Sequence, residues 1–337
     1  MKPEYYGGEK SDEKKPALTA LGELLIDFTP VQTGYANPCF EQNPGGAPAN
    51  VLAAFSKLGG QSSFIGAVGK DSFGNFLEQT LVSLGVDISG LVKVSGADTT
   101  LAFVHLSKSG DRSFSFYRRP GADTCLTRED ISAGLLVNCD IFHFGSLSLT
   151  GEPARSATLF AAEEAKKLNK IISFDPNWRE PLWPDRESAI SQMKAGVKLA
   201  DVIKVSNEEA LMITGEDSIE TAAEYLLAEG PALVIVTMGP EGCFFCHKNG
   251  RGHVPAFEVT VADTTGAGDA FWGAFLFKLG EKYSADTLSQ ISAGELKKIC
   301  GFGNAAGALA ASRRGAIPSL GTSEEILALY STGSFYE

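Results

Sequence analysis

The chain of 337 residues lacks any long apolar run; no stretch approaches the ~18 residues that a membrane-spanning helix requires. It also lacks a surplus of positive charge. Lys and Arg number 29 against 41 Asp and Glu, a formal net charge of −12. Phosphate backbones are held by clustered Lys and Arg, so a chain of this balance makes a poor nucleic-acid binder. An anionic ligand has to be held by local devices instead, such as a helix N-terminus or a single arginine. No GxxxxGK[ST] run occurs, which excludes a Walker-type phosphate loop. No GxGxxG follows the first apolar strand, which argues against an NAD-dependent dehydrogenase. Cysteine is sparse and scattered: Cys39, Cys125, Cys139, Cys243, Cys246 and Cys300. Such spacing fits reduced thiols in a cytoplasmic enzyme. Cys243 and Cys246 form a CxxC, but inside an apolar strand-like run with no second ligand pair. It reads as packing, and neither the zinc nor the redox context is present.

What is present is a globular composition, with 44% hydrophobic and 21% charged residues. Residues 1–16 are polar, without the apolar stretch of a secretory signal, and read as a flexible leader; 331–337 read as a tail. The first strand is expected from Ala17 to Phe28. A turn at Pro44-Gly45-Gly46-Ala47-Pro48-Ala49-Asn50 leads into a helix. Ser63 to Val68 reads as a buried strand, and Asp71 or Ser72 as the cap of the next helix. Residues 99–117 alternate around Ser109-Gly110-Asp111, a hairpin signal. From residue 140 onward strands and helices alternate regularly. This implies a mostly parallel sheet covered on both faces, with ligands outside the carboxyl ends of its strands.

The sharpest local feature is Asp263-Thr264-Thr265-Gly266-Ala267-Gly268-Asp269. A strand is expected at Val259 to Val261 before it, and an apolar helical pattern follows from Ala270 to Leu279. Gly266, Ala267 and Gly268 therefore sit at a helix start, where N–H groups lack intrahelical partners and small residues admit an anion. Asp269 stands at the same spot. Either it is an ordinary cap on a glycine turn, or it is a general base that takes a proton from an attacking hydroxyl.

Asp263 to Asp269 with Ala270-Phe271 and Gly273-Ala274 resembles the second signature of the ribokinase/PfkB sugar-kinase family. Gly45 to Asn50, more than 200 residues earlier, resembles the first. The resemblance extends over about residues 17–330. Within the family it leans toward fructokinases, through Gly22 to Phe28, Phe114 to Arg118, Gly121-Ala122-Asp123, Phe142 to Ser148 and Asp175-Pro176-Asn177-Trp178-Arg179. It implies an α/β fold: a ribokinase-like three-layer α/β/α sandwich with a mostly parallel central sheet and a small antiparallel β lid. The lid strands are expected from about 29–43 and 98–123.

The resemblance also implies the chemistry, ATP-dependent phosphorylation of a primary hydroxyl with Asp269 as base. D-fructose is the expected acceptor, and 2-keto-3-deoxygluconate, ribose or a nucleoside are alternatives. A sugar-binding sensor without catalysis would have no use for Asp269 and the glycine run. The family's sugar-binding positions fall on Asp27, Gly45, Gly46 and Asn50. Phe103 is expected to pack on the sugar from the hairpin. Arg118, Asn177 and Arg179 are expected at the substrate or a phosphate, since arginine offers a fixed fork of donors. The nucleotide side is expected at Lys204, Ser206, Glu209, Thr237, Gly239, Gly242 and Asn304. The Asn of the family's Asn-x-x-Glu motif is replaced by Ser206, and Glu209 acts on Mg²⁺ through water. A K⁺ site is implied at Asp263, Thr265, Ala310, Arg313, Gly315 and Ser319. Open lid edges imply a homodimer through the lid.

Overall fold

The computed structural model describes residues 15–31, 37–106 and 112–333. The expected leader, apart from its last two residues, the last residues of the tail and the hairpin turn Ser109-Gly110-Asp111 lie outside these. The strands are β1 (Ala17–Leu21), β2 (Leu25–Val31), β3 (Cys39–Gly45), β4 (Gln61–Gly69), β5 (Asp87–Val94), β6 (Leu101–Leu106), β7 (Arg112–Tyr117), β8 (Ile141–Gly145), β9 (Ile171–Asp175), β10 (Val202–Ser206), β11 (Leu233–Thr237), β12 (Cys243–His247) and β13 (Gly250–Val254). Nine of them form one sheet in the order β13-β12-β11-β10-β9-β8-β1-β4-β5. All neighbours are parallel except β11-β12 and β12-β13.

Both faces of this sheet are covered, as the uninterrupted apolar runs of its strands require. On one face Leu136, Ala161, Met193, Ile213 and Leu226 from five helices close over Phe142, Phe174, Ile203 and Val234. On the other, Phe55, Trp272, Phe275, Ile299 and Cys300 close over Leu18, Ile171, Val202 and Ile235. The result is the three-layer sandwich. Cys243 and Cys246 lie buried in β12, as packing residues. Among the described residues no helix is long and apolar enough to cross a membrane.

The expected single strand from Ala17 to Phe28 is in fact two. The chain leaves the large sheet at Gly22, whose N–H donates to the Ile65 carbonyl and where a Cβ would lie 2.5 Å from the Pro48 ring. It resumes at Leu25 in a second sheet of order β3-β2-β6-β7. Apolar content alone does not distinguish one long strand from two short ones on different sheets, because both halves are buried. The small sheet consists of two antiparallel hairpins, as expected of the lid, and these join through a parallel pair, β2 with β6. The strand expected at Val259 to Val261 does not form. That segment is extended but unpaired, and the chain is anchored just after it by Ala262 and Asp263 N–H groups donating to the Ala311 carbonyl. β5 and the helix Ile219–Ala228 add elements that the sequence reading did not assign.

Candidate active site

Four strands of the large sheet end side by side at Gly145, Asp175, Ser206 and Thr237, where the small sheet also begins. The helix Ala267–Gly280 points its N-terminus at this edge. Its N-cap is Gly266 at φ 75, where a Cβ would meet Ala316 Cβ at 2.8 Å. Only glycine takes that left-handed turn against a backbone so close. Asp269, in the first turn, is buried and accepts a hydrogen bond of 2.8 Å from Asn50 Nδ2. The two glycine-rich runs of the sequence thus meet across 219 positions.

Lys204 is the cation of this site. From β10 it forms a buried ion pair with Asp175 at the end of β9. A Cβ on Gly268 would lie 3.4 Å from its Nζ, so the ammonium rests against the first helical turn. There it reinforces the positive end of the helix, which suits a phosphoryl oxygen. Burial raises the Asp269 pKa, and Lys204, the Asn50 hydrogen bond and Arg179 oppose the rise. Asp27 is pushed up to about 7 by burial, with Arg179 opposing and Asp269 adding to it. Asp175 is pushed up to about 6 by burial against the attraction of Lys204. Arg179 therefore faces both Asp27 and Asp269.

Asp27 lies on β2, where its carboxylate packs on Gly45; a Cβ there would sit 2.1 Å from Oδ2. Asn50 Oδ1 and Asn177 Nδ2 are buried without a protein partner. One is an acceptor and the other a donor, the pair of functions that adjacent sugar hydroxyls use. Asn177 takes φ 47, a conformation that asparagine tolerates better than most residues. Gly45→Ala is expected to push the Asp27 carboxylate aside and lower kcat/KM for the acceptor by about 10²-fold. Steady-state kinetics with ATP held saturating would check it, and an unchanged kcat/KM would contradict this packing.

Several expected residues have other partners. Phe103 pairs with Phe28 across β6 and β2 and stacks on it at 4.8 Å, whereas Asp27 pairs with Ala102. Neighbouring strand positions face opposite ways, so Phe103 lies on the face away from Asp27. The alternating signal was read correctly as a strand but assigned to the wrong face; Ala102 and Val104 share the side of Asp27. Arg118 is tied by its guanidinium to Asp123, to Thr150 Oγ1 and to the Leu147 carbonyl. Its work is at the root of the small sheet.

On the nucleotide side, Ser206 and Glu209 form a reciprocal capping box on the helix Asn207–Thr214. Glu209 Oε1 also accepts the Trp178 N–H at 2.7 Å, which holds the Asn177-Trp178-Arg179 segment. Asn304 donates both amide hydrogens, to the Val254 and Pro255 carbonyls at 3.0 Å, so it braces the segment after β13. Thr237 ends β11. Gly239 and Gly242 follow it at φ 56 and 94, and Gly242 packs directly on the Val254 carbonyl. Asp263 accepts from Thr265 N–H at 2.8 Å and Gly315 N–H at 3.1 Å. This brings the 263–266 and 310–316 segments together, with Ser319 buried beside Ala316. The Arg313 side chain turns away to Glu325, which leaves Arg313 and Ala310 only backbone carbonyls to offer. Glu23 and Asp175 are the residues of the site that sequence reasoning did not select. For Asp175 a signal existed, an aspartate ending a buried apolar strand.

An anion-binding helix start with a buried carboxylate beside it, at the sheet edge under a small second sheet, defines a phosphotransferase acting on an alcohol. Residues 15–323 match the pfkB family carbohydrate kinase, and the chain belongs to that family. It is a sugar kinase. Fructokinase-1 of Oryza sativa subsp. japonica is 43% identical over 316 residues, covering 93% of this chain and 97% of its own. Fructokinase-1 of Zea mays is 44% identical over 316 residues, with the same coverage. Among solved structures, the fructokinase of Xylella fastidiosa with bound ATP superposes with a TM-score of 0.88 at 35% identity, over 95% of this chain and 99% of that one. The fructokinase of Vibrio cholerae in its fructose, ADP and calcium ion bound form has a TM-score of 0.85 at 33% identity, over 94% and 99%.

Proposed function

We propose that this enzyme transfers the γ-phosphoryl group of ATP to the primary hydroxyl at C6 of D-fructose, with Asp269 as general base. The observation that carries the reading is the Asn50–Asp269 hydrogen bond, which unites the sugar-side turn with the anion-binding helix. The likeness to fructokinases over nearly the whole chain supports fructose as acceptor. Asp269 takes the hydroxyl proton as the oxygen attacks. The amides of Gly266, Ala267 and Gly268 at the helix start and the Lys204 ammonium stabilise the charge on the transferring group, and positioning supplies the rest. Asp27, Gly45, Gly46, Asn50 and Asn177 hold the hydroxyls, with Arg179 between Asp27 and Asp269. The small sheet closes over the sugar and keeps water from accepting the phosphate. ADP release measured with a panel of sugars tests this. Fructose should lead the panel, and a clear preference for another sugar would overturn the acceptor assignment.

Mg²⁺ would neutralise the phosphate charge. It holds few protein ligands in such sites. Glu209, already accepting from two backbone N–H groups, suits contact through water. K⁺ fits the juncture of Asp263, Thr265 and Gly315, where Ala310, Arg313 and Ser319 add oxygens. Exchanging K⁺ for tetramethylammonium is expected to cut the rate at least about fivefold, the scale of ordinary site coupling; an unchanged rate would remove the cation from the reading. The open edges β3 and β7, with Phe40 and Tyr117 exposed, support a homodimer through the lid. The free cysteines support a cytoplasmic location.

The pH dependence follows from burial. Asp269 must be ionised to accept a proton, and its raised pKa means that it protonates above the ordinary aspartate value of 3.8. As pH falls, kcat/KM is expected to drop with an apparent pKa above that value. A rate that holds until about pH 4 would contradict an enclosed base.

A further inference from the structure

We infer that Glu23 is a positioning residue for the acceptor sugar: from the break between the two sheets it caps the helix that carries Asn50 and so sets the Gly45–Gly46 turn. This rests on the proposed sugar site. The helix Ala47–Lys57 starts without its own means of capping. Its N-cap is Gly46 at φ 111, no local side chain caps it, and no acidic residue stands in its first turn. Pro48, its second residue, has no N–H to offer. The N–H of Ala47, the first helical residue, is buried and donates to Glu23 Oε1 at 2.9 Å from 24 positions away. The Glu23 backbone supports the same turn, for a Cβ on Gly46 would lie 2.3 Å from the Glu23 carbonyl oxygen. Side chain and main chain of one residue therefore hold the segment between Gly45 and Asn50, and Asn50 holds Asp269.

The position costs stability. Glu23 is 3% exposed and its Oε2 has no partner. Burial pushes its pKa up to about 7, against the pull of its own N–H and that of Ala47. The charged groups facing it are Asp123 and Arg118, which pair with each other. Asp123 also accepts from Thr100 Oγ1 just before β6, and Arg118 reaches Thr150 beyond β8. A buried carboxylate with an open oxygen is a poor structural choice for a hinge that an apolar side chain would fill. Its geometry is explained by what it aims, the N–H at the start of the sugar-side helix.

The test is a split between the two substrates, measured on the full chain. Glu23→Ala is expected to raise the fructose KM about tenfold, with the ATP KM within about twofold of the wild type. Glu23→Asp, one methylene too short to reach Ala47, is expected to do the same, and it decides the matter if the Ala variant does not fold. Glu23→Gln keeps an acceptor oxygen and is expected to restore the fructose KM to within about threefold of the wild type. Sugar and ATP KM values rising together, an unmoved fructose KM, or failure of the Gln variant to restore it would each overturn the proposal. A wild-type enzyme without fructose-dependent ADP release would instead overturn the proposed function itself.

Discussion

Asp269→Asn is expected to lower kcat by about 10²–10⁴-fold while leaving ATP affinity within a few-fold of the wild type. The amide is isosteric with the carboxylate. It can still meet Asn50, by turning its oxygen toward the Nδ2 donor that now meets Asp269 at 2.8 Å. What it cannot do is take a proton. In the proposed mechanism the nucleotide is held by the helix amides and Lys204, which remain. Removing a buried negative charge beside the phosphates even favours the nucleotide, because Asp269 and a phosphoryl oxygen repel each other. Stopped-time ADP assays and calorimetric titration with ATP separate the two effects. Turnover above about a tenth of wild type would mean that another group, or the solvent, takes the proton.

Lys204→Met is expected to cost stability and rate together. Burial pulls the Lys204 pKa down, and the charges of Asp175, Asp269 and Glu209 outweigh it and hold the pKa up. Without the ammonium the Asp175 charge has no partner, and breaking a buried pair by removing one member costs about 3–5 kcal/mol. The substitution also strips the cation from the wall of the anion-binding turn, and loss of one such donor lowers kcat by about 10²–10³-fold. Adding Asp175→Asn separates the contributions. The double variant should recover most of the stability, since it removes the stranded carboxylate, but it should not recover the rate. Thermal unfolding and kcat on the three variants check this. Recovery of both would show that Lys204 acts only through the fold.

The extent to which the site was legible follows from what each residue needs. Asp269 and Gly266 to Gly268 were legible because a helix N-terminus with small residues announces itself locally. Asp27, Gly45, Gly46 and Asn50 were legible through the family signature more than through physics, since a strand aspartate and a turn look alike in many folds. Phe103 was misplaced because alternation gives two faces without saying which is which; only its register against Phe28 decides. Arg118 was expected at a ligand for its fork of donors, and Asn304 through the family resemblance. Their partners, Asp123 and Thr150 for one and two backbone carbonyls for the other, are distant in sequence or carry no sequence signal. Glu23 escaped notice for the same reason, lying between two strands and 24 positions from the N–H it caps.

By itself, then, the sequence determined the run Asp263 to Asp269 as a glycine-rich helix start with a carboxylate in its first turn, and the alternation that makes a covered parallel sheet. Those properties are local: backbone donors left over at a helix end, glycine where only glycine fits, and side-chain period. Tertiary structure alone decided that Asn50 meets Asp269, that Lys204 lies against Gly268, that the first strand splits between two sheets, and which arginine faces the acidic pair. Each depends on how separate elements pack in space, and burial, which that packing sets, is what raises the Asp269 pKa.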